Sequence, residues 1–224
     1  MNFLSHYYFD RKKDNAYEVL GMLLPDLLKN ANKNWNPHPE KSEYLFKNNQ
    51  HHQEILTGWK RHLAVDKLFH NSAFFIHHQH QIKLCLKDLL IGSPVKPFFL
   101  GHISLELLLD SLLINKGLIN IDLLYKVLNQ IENPVITSFL ALNGIDKPDP
   151  FFKYFEAFKK EEYLHSYSQT EKVSYALKRI CMRIWDNPFT VEQEAALTKT
   201  LITYKDELSK DFIFIFEMID AAIN

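Results

Sequence analysis

In the stretch 98–113, His102, Glu106 and Asp110 recur at i, i+4 and i+8, which puts them on one face of a helix. The rest of that stretch is apolar nearly all round, so the helix belongs inside the protein. Two carboxylates four residues apart repel each other. Burying them unpaired costs several kcal/mol or forces protonation. Something cationic must face the stripe, either a metal ion or Arg and Lys from a neighbouring helix. A second stripe has the same form: His62, Asp66 and His70 also fall at i, i+4 and i+8. A helix rises about 1.5 Å per residue, so His62 and Asp66 are about 6 Å apart along the axis, a workable chelating step. His70 lies about 12 Å from His62 and suits a second ion, a supporting position or a substrate contact. His6 and Asp26 are lone polar groups in apolar surroundings, Phe3-Leu4 to Tyr7-Tyr8-Phe9 and Met22–Leu28. His6 alone reads as a hydrogen-bonded core histidine and Asp26, after Pro25, as a local cap. Taken with the two stripes, they point to a shared metal site, because each buried charge needs a partner. Nitrogen and carboxylate ligands without thiolate fit Mn, Fe, Mg or Zn.

These residues need helices to position them. The hydrophobic pattern has a period near 3.6 in almost every segment and no sustained period of two. Helices are expected at about 2–9, 16–29, 42–70, 72–90, 97–115, 121–131, 151–164, 171–184 and 190–222. Asp14 or Asn15 caps the second and Pro97 opens the fifth. Residues 30–41 read as a loop. The expected fold is an all-α bundle, a single domain over 1–224 with no clear linker.

The 224 residues are 46% hydrophobic and 24% charged, enough to bury a core. With Lys+Arg 26 against Asp+Glu 27, the net charge of -1 argues against a nucleic-acid binder. Cys85 and Cys181 read as buried free thiols, which fits a reducing compartment. No apolar run reaches the roughly 20 residues of a bilayer span, and no signal peptide is evident. A cytoplasmic protein without a membrane span is expected. The His51-His52 and His77-His78-x-His80 groups read as solvated faces, as do Arg11-Lys12-Lys13 and the charged run 159–162. No phosphate loop and no Ser or Cys nucleophile motif is present.

Asn2-Phe3-Leu4-Ser5-His6, Gly21-Met22-Leu23-Leu24-Pro25-Asp26 and the helix with His62-x-x-x-Asp66 together resemble the bacterial acyl carrier protein phosphodiesterases. These are distant members of the HD-domain phosphohydrolase superfamily. The stretch 103–110 is similar to that family's next acidic helix, with Glu106 and Asp110 at acidic positions. The helices near Tyr154 and at 173–183 resemble it more weakly. The resemblance implies an all-α, HD-domain-like, metal-dependent hydrolase. Its implied reaction releases 4′-phosphopantetheine from holo acyl carrier protein by cutting the phosphodiester to a serine, with manganese or magnesium; iron and zinc also suit the ligand types. It implies His6, Asp26, His62, Asp66 and Asp110 as the site positions. The chain departs from the family in several places. Leu63 and Ala64 stand where an Arg follows the histidine, His70 and Ser111 replace an acid and a histidine, and His102 is extra. Extra length falls around 30–52 and 70–96.

In this reading the ion polarises a phosphoryl oxygen and activates a water. Glu106, His70 or His102 orients ligands or moves protons, and Lys60, Arg61 or Lys67 contacts phosphate. The substrate is an acyl carrier protein or a small phosphoester. An acidic carrier protein needs a basic surface, for which Arg11-Lys12-Lys13, Lys29 and Lys33 are candidates. The competing reading is a non-enzymatic helical interaction module, with the stripes as internal ion pairs and the aromatics at 151–158 as the docking surface.

Overall fold

A computed structural model describes residues 1–223. Eleven α-helices and three short 3-10 turns make up the described residues, with no strand among them. The all-α expectation holds. The helices form two compact units, each assembled from separated segments. The division falls inside helix α1 (Phe3–Asp10), between Ser5 and His6, and inside α3 (Gln50–His70), between Asp66 and Lys67.

One unit holds His6–Asp66 and Ile119–Leu164. Its long element is α2 (Ala16–Ala31), opened by Asn15, whose side chain accepts from the N–H groups of Tyr17 and Glu18. Pro25 and Asp26 lie inside α2, so Asp26 is not a local cap. Pro25 removes the N–H that the Gly21 carbonyl would use, a strain the packing must offset. α2 packs against α6 (Ile121–Leu128) and α8 (Asp149–Glu161). It also meets α3 backbone to backbone. A Cβ on Gly21 would fall 2.1 Å from the Ile55 carbonyl oxygen, and one on Gly58 would fall 2.0 Å from that of Glu18. Only glycine at both positions permits this approach.

A helix not foreseen from the sequence, α7 (Asn133–Leu142), follows α6. Pro134 reads as a stop but occupies the first turn, where a missing N–H costs nothing. Phe151, Phe155 and Phe158 of α8 are fully buried, so the aromatic docking surface of the competing reading is largely core. His52, expected to be solvated, is buried and bonded to the Ser138 hydroxyl at 2.8 Å. The expected helix over 42–70 starts at Gln50, after two 3-10 turns at Pro39–Lys41 and Glu43–Phe46.

The other unit holds Met1–Ser5, Lys67–Leu118 and His165 onward. Its centre is α5 (Pro97–Asn115), packed along α4 (Ala73–Leu86) and against α9 (Thr170–Cys181) and α10 (Val191–Leu208). A Cβ on Gly101 would lie 2.8 Å from the Gln79 carbonyl oxygen, so α4 and α5 also cross at close range. α5 is long and apolar enough to cross a membrane by length and composition, and most of it is buried in the protein. The last expected helix is two, α10 and α11 (Ile213–Ile223). The turn between them buries Phe212 beside Leu208 and Phe216 without a glycine or proline to announce it. Cys181 is buried as expected, but Cys85 is exposed. His78, also expected to be solvated, is buried, with Nδ1 2.8 Å from the Tyr204 hydroxyl.

Candidate metal centre

Within one unit, His6 (α1), Asp26 (α2), and His62 and Asp66 (α3) come together from three helices. His6 Nε2 is 3.3 Å from Asp66 Oδ1 and 4.0 Å from Asp26 Oδ2, and His62 Nε2 is 3.6 Å from Asp66 Oδ2. The two imidazoles stack, centroids 3.8 Å apart and planes 17° from parallel. One ligand atom each from His6, His62 and Asp66 fits within 4.8 Å.

The local cause is the glycine contact. With Gly21 and Gly58 in touch, α3 runs close enough for His62 Nδ1 to reach the Met22 carbonyl oxygen at 2.8 Å. A carbonyl only accepts, so Nδ1 carries a proton and Nε2 is the nitrogen turned toward the cluster. Backbone locking of one nitrogen is the usual support of a metal-bound histidine. Burial, and then the neighbouring His62, lower the His6 pKa to about 4, so this ring is neutral near pH 7. Burial alone would raise Asp66. The hydrogen bond with His6, followed by nearby positive charge, outweighs it and holds this carboxyl well below the usual range. Two imidazoles and two carboxylates are a donor set that suits a divalent cation. The donor set fits Mn, Fe or Zn, with Mg favoured less because imidazole is not its usual ligand.

Asp110 does a different job from the metal ligation expected of it. Its Oδ1 accepts from the Ser5 N–H at 2.7 Å and the Ser5 hydroxyl at 2.6 Å. Its Oδ2 accepts from the Leu4 N–H at 3.1 Å and Asn2 Nδ2 at 2.8 Å. Four donors fill the four lone-pair sites of a carboxylate. Asp110 therefore caps the start of α1, the helix that carries His6.

His70, Glu106 and His102, expected as proton carriers, meet in the other unit. His102 Nε2 is 3.0 Å and His70 Nε2 3.3 Å from Glu106 Oε1, and the two ring nitrogens are 3.2 Å apart. The Met1 α-amino group lies 3.1 Å from the same oxygen. Burial would raise Glu106, but these cationic and donor groups hold it well below the ordinary carboxylate range.

The expected phosphate contacts separate. Arg61 is a clamp: its Nε is 3.0 Å from the buried Asp10, and it donates to the Phe9 carbonyl at 3.2 Å, tying α3 to the end of α1. Asp10 closes the apolar opening stretch, a signal not used in reading the sequence. Lys60 is exposed and paired with Glu43 at 2.5 Å, and Lys67 is exposed. In the candidate basic surface, Lys12, Lys29 and Lys33 are exposed. Lys13 is held by Asp10 and Glu18, and Arg11 lies over the Tyr8 ring at 3.6 Å. No family model, curated protein or solved structure matches the chain.

Proposed function

We propose that this chain is a metal-dependent phosphodiester hydrolase of the acyl carrier protein phosphodiesterase kind, with an HD-domain-like core. The observation that carries the reading is the convergence of His6, Asp26, His62 and Asp66 from three helices. Two of the four are histidines: burial keeps the His6 ring neutral near pH 7, and His62 donates its Nδ1–H to the Met22 carbonyl, which leaves Nε2 toward the group. Asp66 is fully ionised, and Asp26 adds a second carboxylate. A divalent cation bound there supplies Lewis acidity toward a phosphoryl oxygen and lowers the pKa of its water. Stacking on His62 holds the His6 ring in place, and Asp110 fixes the helix that brings it. Deep burial keeps the His6 imidazole from being protonated near neutral pH. Manganese is the first ion to try, then iron, zinc and magnesium.

The proposed substrate is holo acyl carrier protein, with exposed Lys12, Lys29 and Lys33 available to an acidic partner. The test is a hydrolysis panel with each ion, using holo acyl carrier protein, bis-p-nitrophenyl phosphate and nucleotide mono- and diesters. Asp66→Asn keeps the shape and removes a ligand charge, and it should abolish every metal-dependent activity. Undiminished turnover in that variant rejects the assignment.

A further inference from the structure

We propose a second metal site, built by His70 Nε2, His102 Nε2 and Glu106 Oε1, that takes a borderline divalent ion such as zinc rather than magnesium. Three observations carry it. First, the three ligand atoms form a nearly equilateral triangle with sides of 3.0, 3.2 and 3.3 Å. Donors bound at about 2.0–2.1 Å to one ion lie about 2.8–3.4 Å apart, from octahedral to tetrahedral geometry. Second, protons satisfy this arrangement badly. Glu106 Oε1 lies within 3.3 Å of both ring nitrogens and of the Met1 amine, and the ring nitrogens face each other at 3.2 Å, so three nitrogens crowd one oxygen. A single cation uses one lone pair of that oxygen and leaves the other for the amine.

Third, the rings are held in place by apolar neighbours. Phe75 packs edge-on against both imidazoles, with centroids 4.9 Å from each, and Phe69 backs Phe75 at 5.0 Å. His102 and Glu106 are one helical turn apart on α5, a natural chelating step, and the Gly101 contact pins that turn against α4. Both histidines are half-exposed while Glu106 is buried, so an ion can reach the cluster from solvent. Two imidazoles and one carboxylate favour zinc, iron, cobalt or nickel over magnesium or calcium.

The test uses the full chain, stripped with chelator and titrated with Zn2+. Metal content per chain is measured, and Co2+ absorption reports the ligands. The wild type should hold two ions, with Glu106→Gln and Asp66→Asn each holding one. His102→Ala should weaken the second ion by at least about tenfold and change the Co2+ spectrum. Excess Mg2+ should not displace it. If His102→Ala fails to fold, Glu106→Gln, which keeps the shape, carries the decision. Zinc binding in Glu106→Gln at wild-type affinity and stoichiometry overturns the site. One ion lost in Asp66→Asn but kept in Glu106→Gln also overturns it and leaves the proposed function standing. One ion lost in Glu106→Gln but kept in Asp66→Asn supports this site and rejects the other centre.

Discussion

The His6 group and the His70 group use the same side-chain types with their burial reversed. In the first, the imidazole side chains are deep, 0% and 4% exposed, while Asp26 and Asp66 are 30% and 33% exposed. In the second, the carboxylate is deep at 11%, and His70 and His102 are 31% and 37% exposed. A buried imidazole needs partners for both ring nitrogens, and the Met22 carbonyl supplies one to His62 while neither nitrogen of His6 has a well-formed hydrogen bond. A buried carboxylate needs opposite charge close by. The first group therefore leaves buried ring nitrogens for an ion to satisfy, whereas the second gathers donors around one oxygen. Each lies beside a glycine contact between helices, which suggests that close backbone approach is what brings side chains from different helices to one point.

The largest effect expected is at the first contact. Gly58→Ala puts a methyl 2.0 Å from one main-chain atom and 2.7 Å from another, so the helices must part. A loss of more than about 3 kcal/mol is expected in denaturant melts. The ion of the His6 group should weaken while that of the His70 group persists. Gly101→Ala, with 2.8 Å of room, should cost less and show the opposite pattern. Equal losses at both groups would break the comparison.

Acid should come next. His6 has a folded pKa of about 4 against 6.5 unfolded. In the metal-free chain, stability from this group is complete above pH 6.5. Below that, the unfolded chain gains a proton that the folded one refuses, so stability falls as the pH drops toward 4. The full change is about 3 kcal/mol. Urea melts with chelator at pH 7 and pH 4.5 should show it, and His6→Gln should flatten the excess slope.

Asp110→Ala should cost about 2 kcal/mol, because it leaves the Leu4 and Ser5 N–H groups without their acceptor. Burial pushes the Asp110 carboxyl up to about 7, which offsets part of what its four hydrogen bonds contribute. The variant should also weaken the first ion through a loosened α1, and metal titration measures that. Lys60→Ala removes only an exposed pair and should cost under about 1 kcal/mol in the same melts.

The turn-by-turn stripes were readable because i, i+4 spacing is a property of the helix itself. It foretold that His62 and Asp66 would lie together and that His70 would sit elsewhere. Partners supplied by the main chain were not readable: nothing in the residue types ties His62 to the Met22 carbonyl. Asp110 looked like a ligand because its stripe was polar, yet its work is to cap a helix more than a hundred residues earlier in the chain. Arg61 looked like an anion contact until Asp10 was found buried against it. Helix ends failed where the breaking residue was ambiguous, as with Pro134, or missing, as between α10 and α11.

One consequence follows from the oxygen that holds His62. It belongs to the peptide chain, so no side-chain replacement at position 22 can delete it. The chain could exchange aspartate for glutamate around this centre, or change its metal preference, and still inherit one ring already aimed. Conservative drift in ligand identity is cheap at such a place, while a shift of either helix by a fraction of a turn is not.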